Sequence, residues 1–505
     1  MPAMSPVLAT SPLTDLWPFI VLFASVGFIV FSISVLRLHA FLALTLAALF
    51  AGVLASFFPE ATIDPATSEP VIRSLADVVN LVMLGLGKTA GGVAVSIGLA
   101  SIIGMAMMES GAADKVVRRF LNLFGEKYAG LALLVATYIL SVPIFFDTMF
   151  MLMAPLAKAL RVRTGKDYLL YVLCVCCGGV ITHSMTVPHP GPIAMVDNLK
   201  LDVGLSILSG FAAGILPALA GYAIAVWMNN RWTMPLRETP GSNLADLAQL
   251  VNKPDSALPS FVWSMVPIVL PIALISLSSL IKVAVPNPAD AANAPLVLLF
   301  GGLDTFQPIR NVIDFFGDKN IALFIGTFIA LGILARQRGL GRDQLETKIG
   351  PALETAGIII LITSAGGAFG SMIKNAGVGG AVEKLAAGMG LSLILVSYLL
   401  ALILRIAQGS ATVAMLTASS IVYPMMQGTV LPYHPMYLYL AIGFAAFSAS
   451  WMNDSGFWTV SRLSGLTEKE TLKSFSVMLT LVSATGLLVT LLASKLLPFA
   501  QASAP

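Results

Sequence analysis

Apolar runs of about twenty residues follow one another along almost the whole chain. Continuous windows of that length match the ~30 Å hydrocarbon layer crossed as α-helix. Membrane strands would instead alternate polar and apolar residues over about ten positions. The windows predict spans at 17–36, 39–58, 89–109, 167–198, 204–229, 259–284, 319–337, 351–373, 435–460 and 475–497. Two further apolar stretches, 129–158 and 389–426, are cut at SVPIFFD and RIAQGSAT into halves too short to cross, and both read as re-entrant hairpins. The predicted fold class is an all-α polytopic membrane protein.

Composition agrees with this pattern. Of 505 residues, 57% are hydrophobic and 11% charged, against about 25% charged in a soluble domain. Mean hydropathy is +0.88. Lipid bilayer is therefore the expected solvent. A net charge of +3 gives no reason to expect a nucleic-acid partner. Cys174, Cys176 and Cys177 share one apolar run and read as small buried hydrophobes, since neighbouring thiols without further ligands make no zinc cage. The opening MPAMSPVLATSPLTDLW lacks a basic n-region and is expected to be a polar tail ahead of the first span, not a cleaved signal.

Charge orients the chain. If both hairpins re-enter, 19 of the 29 Lys and Arg fall on one face, including the clusters 115–127, 158–166 and 336–348. The positive-inside rule makes that face cytoplasmic and puts both termini outside.

The two halves resemble each other. IIGMAMMESGAADKVV (102–117) aligns with AFGSMIKNAGVGGAVE (368–383), matching Gly104 with Gly370, Glu109 with Asn375, Gly111 with Gly377 and Val116 with Val382. In each half a hairpin, a broken helix and a last helix follow. The expected organisation is an inverted repeat: residues 1–229 (hairpin 129–158, broken helix 167–198), a cytoplasmic linker 230–258, and residues 259–505 (hairpin 389–426, broken helix 435–460). Such repeats place a substrate site near the bilayer midplane.

Four breaks carry the polar residues: SVPIFFD (141–147), THSMTVPHPGP (182–192), RIAQGSAT (405–412) and WMNDSGFW (451–458). Non-helical backbone at membrane depth is tolerated only where protein or a water-filled cavity satisfies it. Half-helix N-termini suit a carboxylate, and Ser, Thr, Asn and Asp suit hydroxyls or a cation. Arg405 would hold a substrate carboxylate, or else pair with Asp147 or Asp454, because a guanidinium inside a bilayer needs an anion. Asp147 and Asp454 are candidates for ion or proton coupling, or for capping. Ser410, Thr412, Asn453 and Ser455 are candidate hydroxyl or ion contacts, or caps. His183 and Thr182 are candidates in the same site, and Gly191 allows close backbone approach between Pro190 and Pro192. No acidic or Cys partner lies near His183 and His189, so no metal is expected. Glu109 reads as an interfacial helix-end residue, and SAGGAFG (364–370) as tight helix packing.

PIFFD, THSMTVPHPGP, RIAQGSATVA and NDSGFW resemble the signature segments of the gluconate:proton symporter (GntP) family, and MMESGAADKV and SAGGAFG resemble further ones. The likeness runs from about 17 to 497. It departs at THSMTVPHPGP, where two prolines more often precede the histidine. The resemblance implies proton-driven uptake of a small hydroxylated carboxylate across a bacterial inner membrane, gluconate-like acids foremost, with D-serine carried by some relatives. The wider ion-transporter superfamily implies a homodimer and an elevator-type motion. No cofactor is expected beyond the coupling proton. Sodium coupling on the same scaffold, an intramembrane hydrolase using Asp147 and Asp454, and a passive channel are the rival expectations. The mirrored halves argue against the hydrolase.

Overall fold

Capping residues set many of the helix boundaries. The structure is a computed structural model that describes residues 12–57, 72, 74–237, 257–285, 295–299, 302–378, 392–427, 430–452 and 454–499. Helix α1 spans Pro12–Ser34, α2 Ala40–Ser56 and α3 Leu75–Ser110. Ser74 starts α3 by accepting from the Asp77 N–H, and Gly111, at φ +79°, ends it and turns the chain into α4, Ala112–Phe124. Then come α5 Ala129–Leu140, α6 Phe146–Thr164, α7 Tyr168–Met185, α8 Pro190–Asn198 and α9 Val203–Arg231. The second half holds α10 Phe261–Ala284, α11 Pro295–Leu299, α12 Leu303–Phe316, α13 Lys319–Arg338 and α14 Arg342–Asn375. It continues with α15 Leu393–Gln408, α16 Ala411–Gln427, α17 Met436–Ala446, α18 Ser455–Ser464 and α19 Glu468–Leu496. No strand occurs among the described residues.

Seven helices among the described residues are long and apolar enough to cross a membrane, or eight if the bent α4–α5 pair is counted as one. That pair bends by 112°. Helix α4 is short and amphipathic: it buries Ala112, Ala113, Val116 and Val117 while Leu123 is exposed. Apolar side chains such as Phe23, Leu84 and Phe328 face outward, as lipid-facing residues do.

The expected spans recur as helical segments, seven of the ten in helices long enough to cross and 17–36, 39–58 and 435–460 in shorter apolar helices, and two begin earlier than expected. Helix α3 begins at Leu75 instead of 89, and α14 at Arg342 instead of 351. Their first turns carry charged or polar residues that an apolar window excludes, yet capping and the i→i−4 ladder continue through them. Helices α4 and α12 were not expected, because a search for long apolar windows passes over short amphipathic helices. Most of the predicted linker, residues 238–256, lies outside the described residues, as do 379–383 of the aligned segment and 389–391 of the second hairpin.

Side-chain contacts show at which end of the molecule each hairpin opens. Glu126, just before α5, meets Arg163 at the end of α6 at 2.6 Å, so this stretch enters and returns at one end of the molecule. The same end holds Glu109, in the last turn of α3, which pairs with Lys348 at 2.9 Å. Helices α15 and α16 open to the other end: Tyr398 of α15 meets Ser483 of α19 at 2.7 Å, and Lys374, at the end of α14, lies over the Tyr423 ring of α16. The broken helices cross in opposite senses. Helix α18 ends where the Tyr168 hydroxyl, at the start of α7, donates to the Ser464 carbonyl at 2.6 Å. The aligned glycines Gly111 and Gly377 both adopt left-handed φ, +79° and +75°, at the ends of α3 and α14.

Helices α3 and α14 pack along each other, with α2, α13 and α16 against them. In lipid this contact gains little from the hydrophobic effect and depends on small residues that let backbones approach. A Cβ on Gly367 would fall 1.9 Å from Thr89 Oγ1, and one on Gly370 2.0 Å from Ser420 Cβ. Gly357 on the same helix faces open space. Gly367→Val should therefore cost about 1–3 kcal/mol or more, read as early thermal loss of monodisperse protein in detergent, while Gly357→Ala should melt like the parent chain.

Candidate functional site

The four breaks meet at the centre of the molecule. The chain leaves α5 at Ser141 and re-enters α6 at Phe146, leaves α7 at Met185 and enters α8 at Pro190, and leaves α17 at Ala446 and enters α18 at Ser455. Gly409, at φ +76°, closes α15 and turns it into α16 within two residues. Exposed carbonyls at these points find donors. His189 bonds the Ser141 carbonyl, the Tyr439 hydroxyl donates to Met185 at 2.8 Å, and Trp451 Nε1 donates to Ile406 at 3.0 Å.

A cavity of about 500 Å³ lies among the breaks. Three helix N-termini border it. Helix α6 brings Asp147 in its first turn; α16 starts after Ser410, whose Oγ accepts from the Val413 N–H at 3.3 Å; α18 starts after Asp454, whose carboxylate accepts from the Gly456 N–H at 3.0 Å. Free N–H groups and the positive ends of three helix dipoles thus face one space.

Arg405 and Asp454 form the dominant electrostatic contact. Arg405 is 3% exposed, pairs with Asp454 and donates to the Gly409 carbonyl at its own helix end. Asp454 also accepts from Ser450. Arg405 Nε is buried without a partner among the described residues. Asp147 lines the same cavity, with Ser455 Oγ, next in the chain to Asp454, donating to it at 3.4 Å.

Asp147, His183, Arg405, Ser410, Thr412, Asp454 and Ser455 therefore line one cavity. Thr182 and Gly191 do not. The Thr182 hydroxyl donates to the Tyr138 carbonyl at 2.7 Å, one helical position round from His183, and Gly191 packs against Met415. Both serve packing at the break. Asn453 lies outside the described residues. His183 stacks edge-on against His189 with centroids 4.3 Å apart, and its Nδ1 is buried without a partner among the described residues.

Sequence reasoning missed several wall residues. Phe145 and Phe146 belong to the quoted break, and Ser184 follows His183, so proximity to a break marked all three. Thr355, Ile359 and Ile362 come from the unbroken α14, where no local signal existed; their i, i+4, i+7 spacing marks one helix face and nothing more. Among the described residues no three His, Cys, Asp or Glu converge as a metal-holding group. All three cysteines are free and buried.

A cavity with one guanidinium, two carboxylates, several hydroxyls and three helix N-termini can bind a small anion bearing hydroxyl groups. Comparison with known proteins points to transport. The sequence model for the GntP family permease matches residues 17–496. The chain is 30% identical over 423 residues to the inner membrane permease YgbN of Escherichia coli (strain K12), covering 82% of this chain and 88% of that protein. It is 29% identical over 474 residues to the low-affinity gluconate transporter of the same organism, covering 94% and 97%. The crystal structure of the Alcanivorax borkumensis YdaH transporter superposes with a TM-score of 0.55 at 13% identity, covering 91% of this chain and 99% of that one, which is a likeness of fold.

Removing one member of a buried ion pair strands the other charge, at about 3–5 kcal/mol, whereas removing both costs much less. Arg405→Ala alone should lower the melting temperature and folded yield in detergent more than Arg405→Ala combined with Asp454→Ala. Equal losses in the single and double variants would mean the pair carries no coupling energy.

Proposed function

The chain belongs to the GntP family of permeases, and on that premise we propose that this bacterial inner-membrane transporter imports a small hydroxylated carboxylate, of the gluconate class, by proton symport. One observation carries the coupling: a buried arginine whose only ion-pair partner among the described residues is the cavity carboxylate Asp454.

Charge balance turns that pair into a coupling device. In the empty site Arg405 and Asp454 sum to zero. A carboxylate entering alone would leave a net negative charge in a low-dielectric space, which is costly. A carboxylate arriving with a proton on Asp454 restores the charge of the empty site: the guanidinium changes partner from the protein carboxylate to the substrate's. Either of these balanced states can be re-exposed to the other side; the one with the added negative charge is disfavoured. Asp147 is the second candidate for the proton. The starts of α16 and α18 add N–H donors for the carboxylate, and Ser410, Thr412, Ser455, Asn453 and His183 Nδ1 take the hydroxyls. Phe145, Phe146 and Ile359 give the walls an apolar body that bounds substrate size.

The opposed entry of the two hairpins, the opposite crossing of the broken helices and the paired left-handed glycines support an inverted repeat that alternates access. Re-exposure by an elevator-type displacement of the hairpins and broken helices along α3 and α14, in a homodimer, is the form we propose. The Glu109 end, rich in Lys and Arg, is cytoplasmic in this scheme, with both termini outside. Sodium is the second reading. It is favoured by the buried Ser184 and Thr186 hydroxyls at the first broken helix, which have no hydrogen-bond partner among the described residues.

Uptake into proteoliposomes separates the two. An inward proton gradient alone should drive accumulation of labelled gluconate, with glycerate, lactate and D-serine as competitors to rank specificity. Asp454→Asn should abolish accumulation while leaving gradient-independent exchange. Accumulation that requires sodium and ignores a proton uncoupler would transfer the coupling role to the hydroxyls.

A further inference from the structure

The end of the molecule opposite Glu109 is poor in cations, yet four of its seven described Lys and Arg gather at one recess. Two of the others, Lys282 and Arg310, are held by Asp314, each at 3.6 Å. The recess, about 210 Å³, lies between α3, α8, α14 and α16. Lys88, Lys200 and Lys374 line it, and Lys319 stands behind it, donating to the Gly92 carbonyl at 2.7 Å. Lys200 reaches Asp197 at 3.5 Å. Lys88 and Lys374 have no ion-pair partner among the described residues; Lys374 lies 5.6 Å over the Tyr423 ring. The lining lysines and Asp197 leave an excess of positive charge.

We propose that this recess is a second, superficial binding site, which captures the carboxylate solute before it reaches the central cavity. The idea rests on the import reading for its physiological direction, though not for its chemistry. Two unpaired ammonium groups supply the carboxylate site. The floor is polar: Asn198 Nδ2 donates to Ser419 and Ser420 at 2.9 and 3.0 Å, with Ser371 and Thr89 beside it. The volume equals roughly seven waters' share of the liquid, room for a small hydroxy acid. No aliphatic side chain lines the recess, so nothing there receives an acyl chain; that favours a soluble acid over a lipid headgroup. Lysine is a flexible point charge, suited to brief retention. The recess and the cavity share α16: Thr412 lines one and Tyr423 the other, eleven residues apart, roughly 16 Å along the helix. A positive recess at this distance raises the local anion concentration, an effect that salt screens.

The test uses the full chain in proteoliposomes of phosphatidylcholine, with and without phosphatidylglycerol, and labelled gluconate as probe. In Lys88→Gln/Lys374→Gln the KM for uptake at low ionic strength should rise about tenfold, the lower end of what focused fields give. Vmax should hold, and the salt dependence of the parent KM should flatten. Lys88→Arg/Lys374→Arg should behave like the parent. A second readout needs no transport: equilibrium dialysis of detergent-solubilised protein at low salt should show two classes of gluconate site, of which the Gln pair loses one and keeps the central cavity. Lysine-dependent binding without uptake would uphold the recess and sink the import reading. An unchanged KM and unchanged binding in the Gln pair would overturn the recess. So would a lysine effect that appears only with phosphatidylglycerol, which would assign the recess to a lipid headgroup.

Discussion

Backbone that leaves the helical path inside a bilayer must find its hydrogen bonds within the protein, and this constraint organises the molecule. The four breaks cannot lie apart in lipid. They converge, and each is met by donors from another element: His189 at the Ser141 carbonyl, Tyr439 at Met185, Arg405 at Gly409, Trp451 at Ile406. Polar side chains close enough to serve the breaks are also close enough to one another to enclose a cavity. Interrupted helices and a binding site are thus consequences of one requirement.

The buried ion pair is the electrostatic counterpart. A guanidinium cannot shed its proton in a protein, so Arg405 must have an anion beside it in every state the transporter visits. Asp454 fills that place in the empty site. In the proposed cycle a solute carboxylate fills it when the charge of Asp454 is removed at the same time. Coupling of that kind would need no long-range signal between an ion site and a substrate site, because both would act on one cation.

Rigidity comes from elsewhere. Helices α3 and α14 are each longer than a bilayer requires, and close contacts at Gly85, Gly367 and Gly370 hold them to Ala368, Thr89 and Ser420. These surfaces are flat because their residues are small. Ile359 and Ile362 of α14 touch the cavity, and Lys374 at its far end touches the cationic recess. The longest rods among the described residues therefore border both places proposed to hold an anion.

Much of this was legible from local chemistry. Helical spans, the two hairpins and the four breaks follow from twenty-residue apolar windows and from Pro, Gly and polar residues inside them, since lipid allows few other arrangements. Seven of the ten residues singled out at those breaks line the cavity. Amphipathic α4 and α12 escaped because their apolar faces never form a continuous window. Thr182 and Gly191 were indistinguishable from His183 by position along the chain; which helix face turns inward is a matter of packing, and Tyr138 and Met415 decide it. The sequence by itself determined that the chain lives in lipid, where it breaks and which side chains lie at the breaks, because those are properties of contiguous residues. Only the tertiary structure decided that Arg405 takes Asp454 and not Asp147, that α14 walls the cavity, and that Lys88, Lys200 and Lys374 share one recess, because those pairings join residues far apart in the chain.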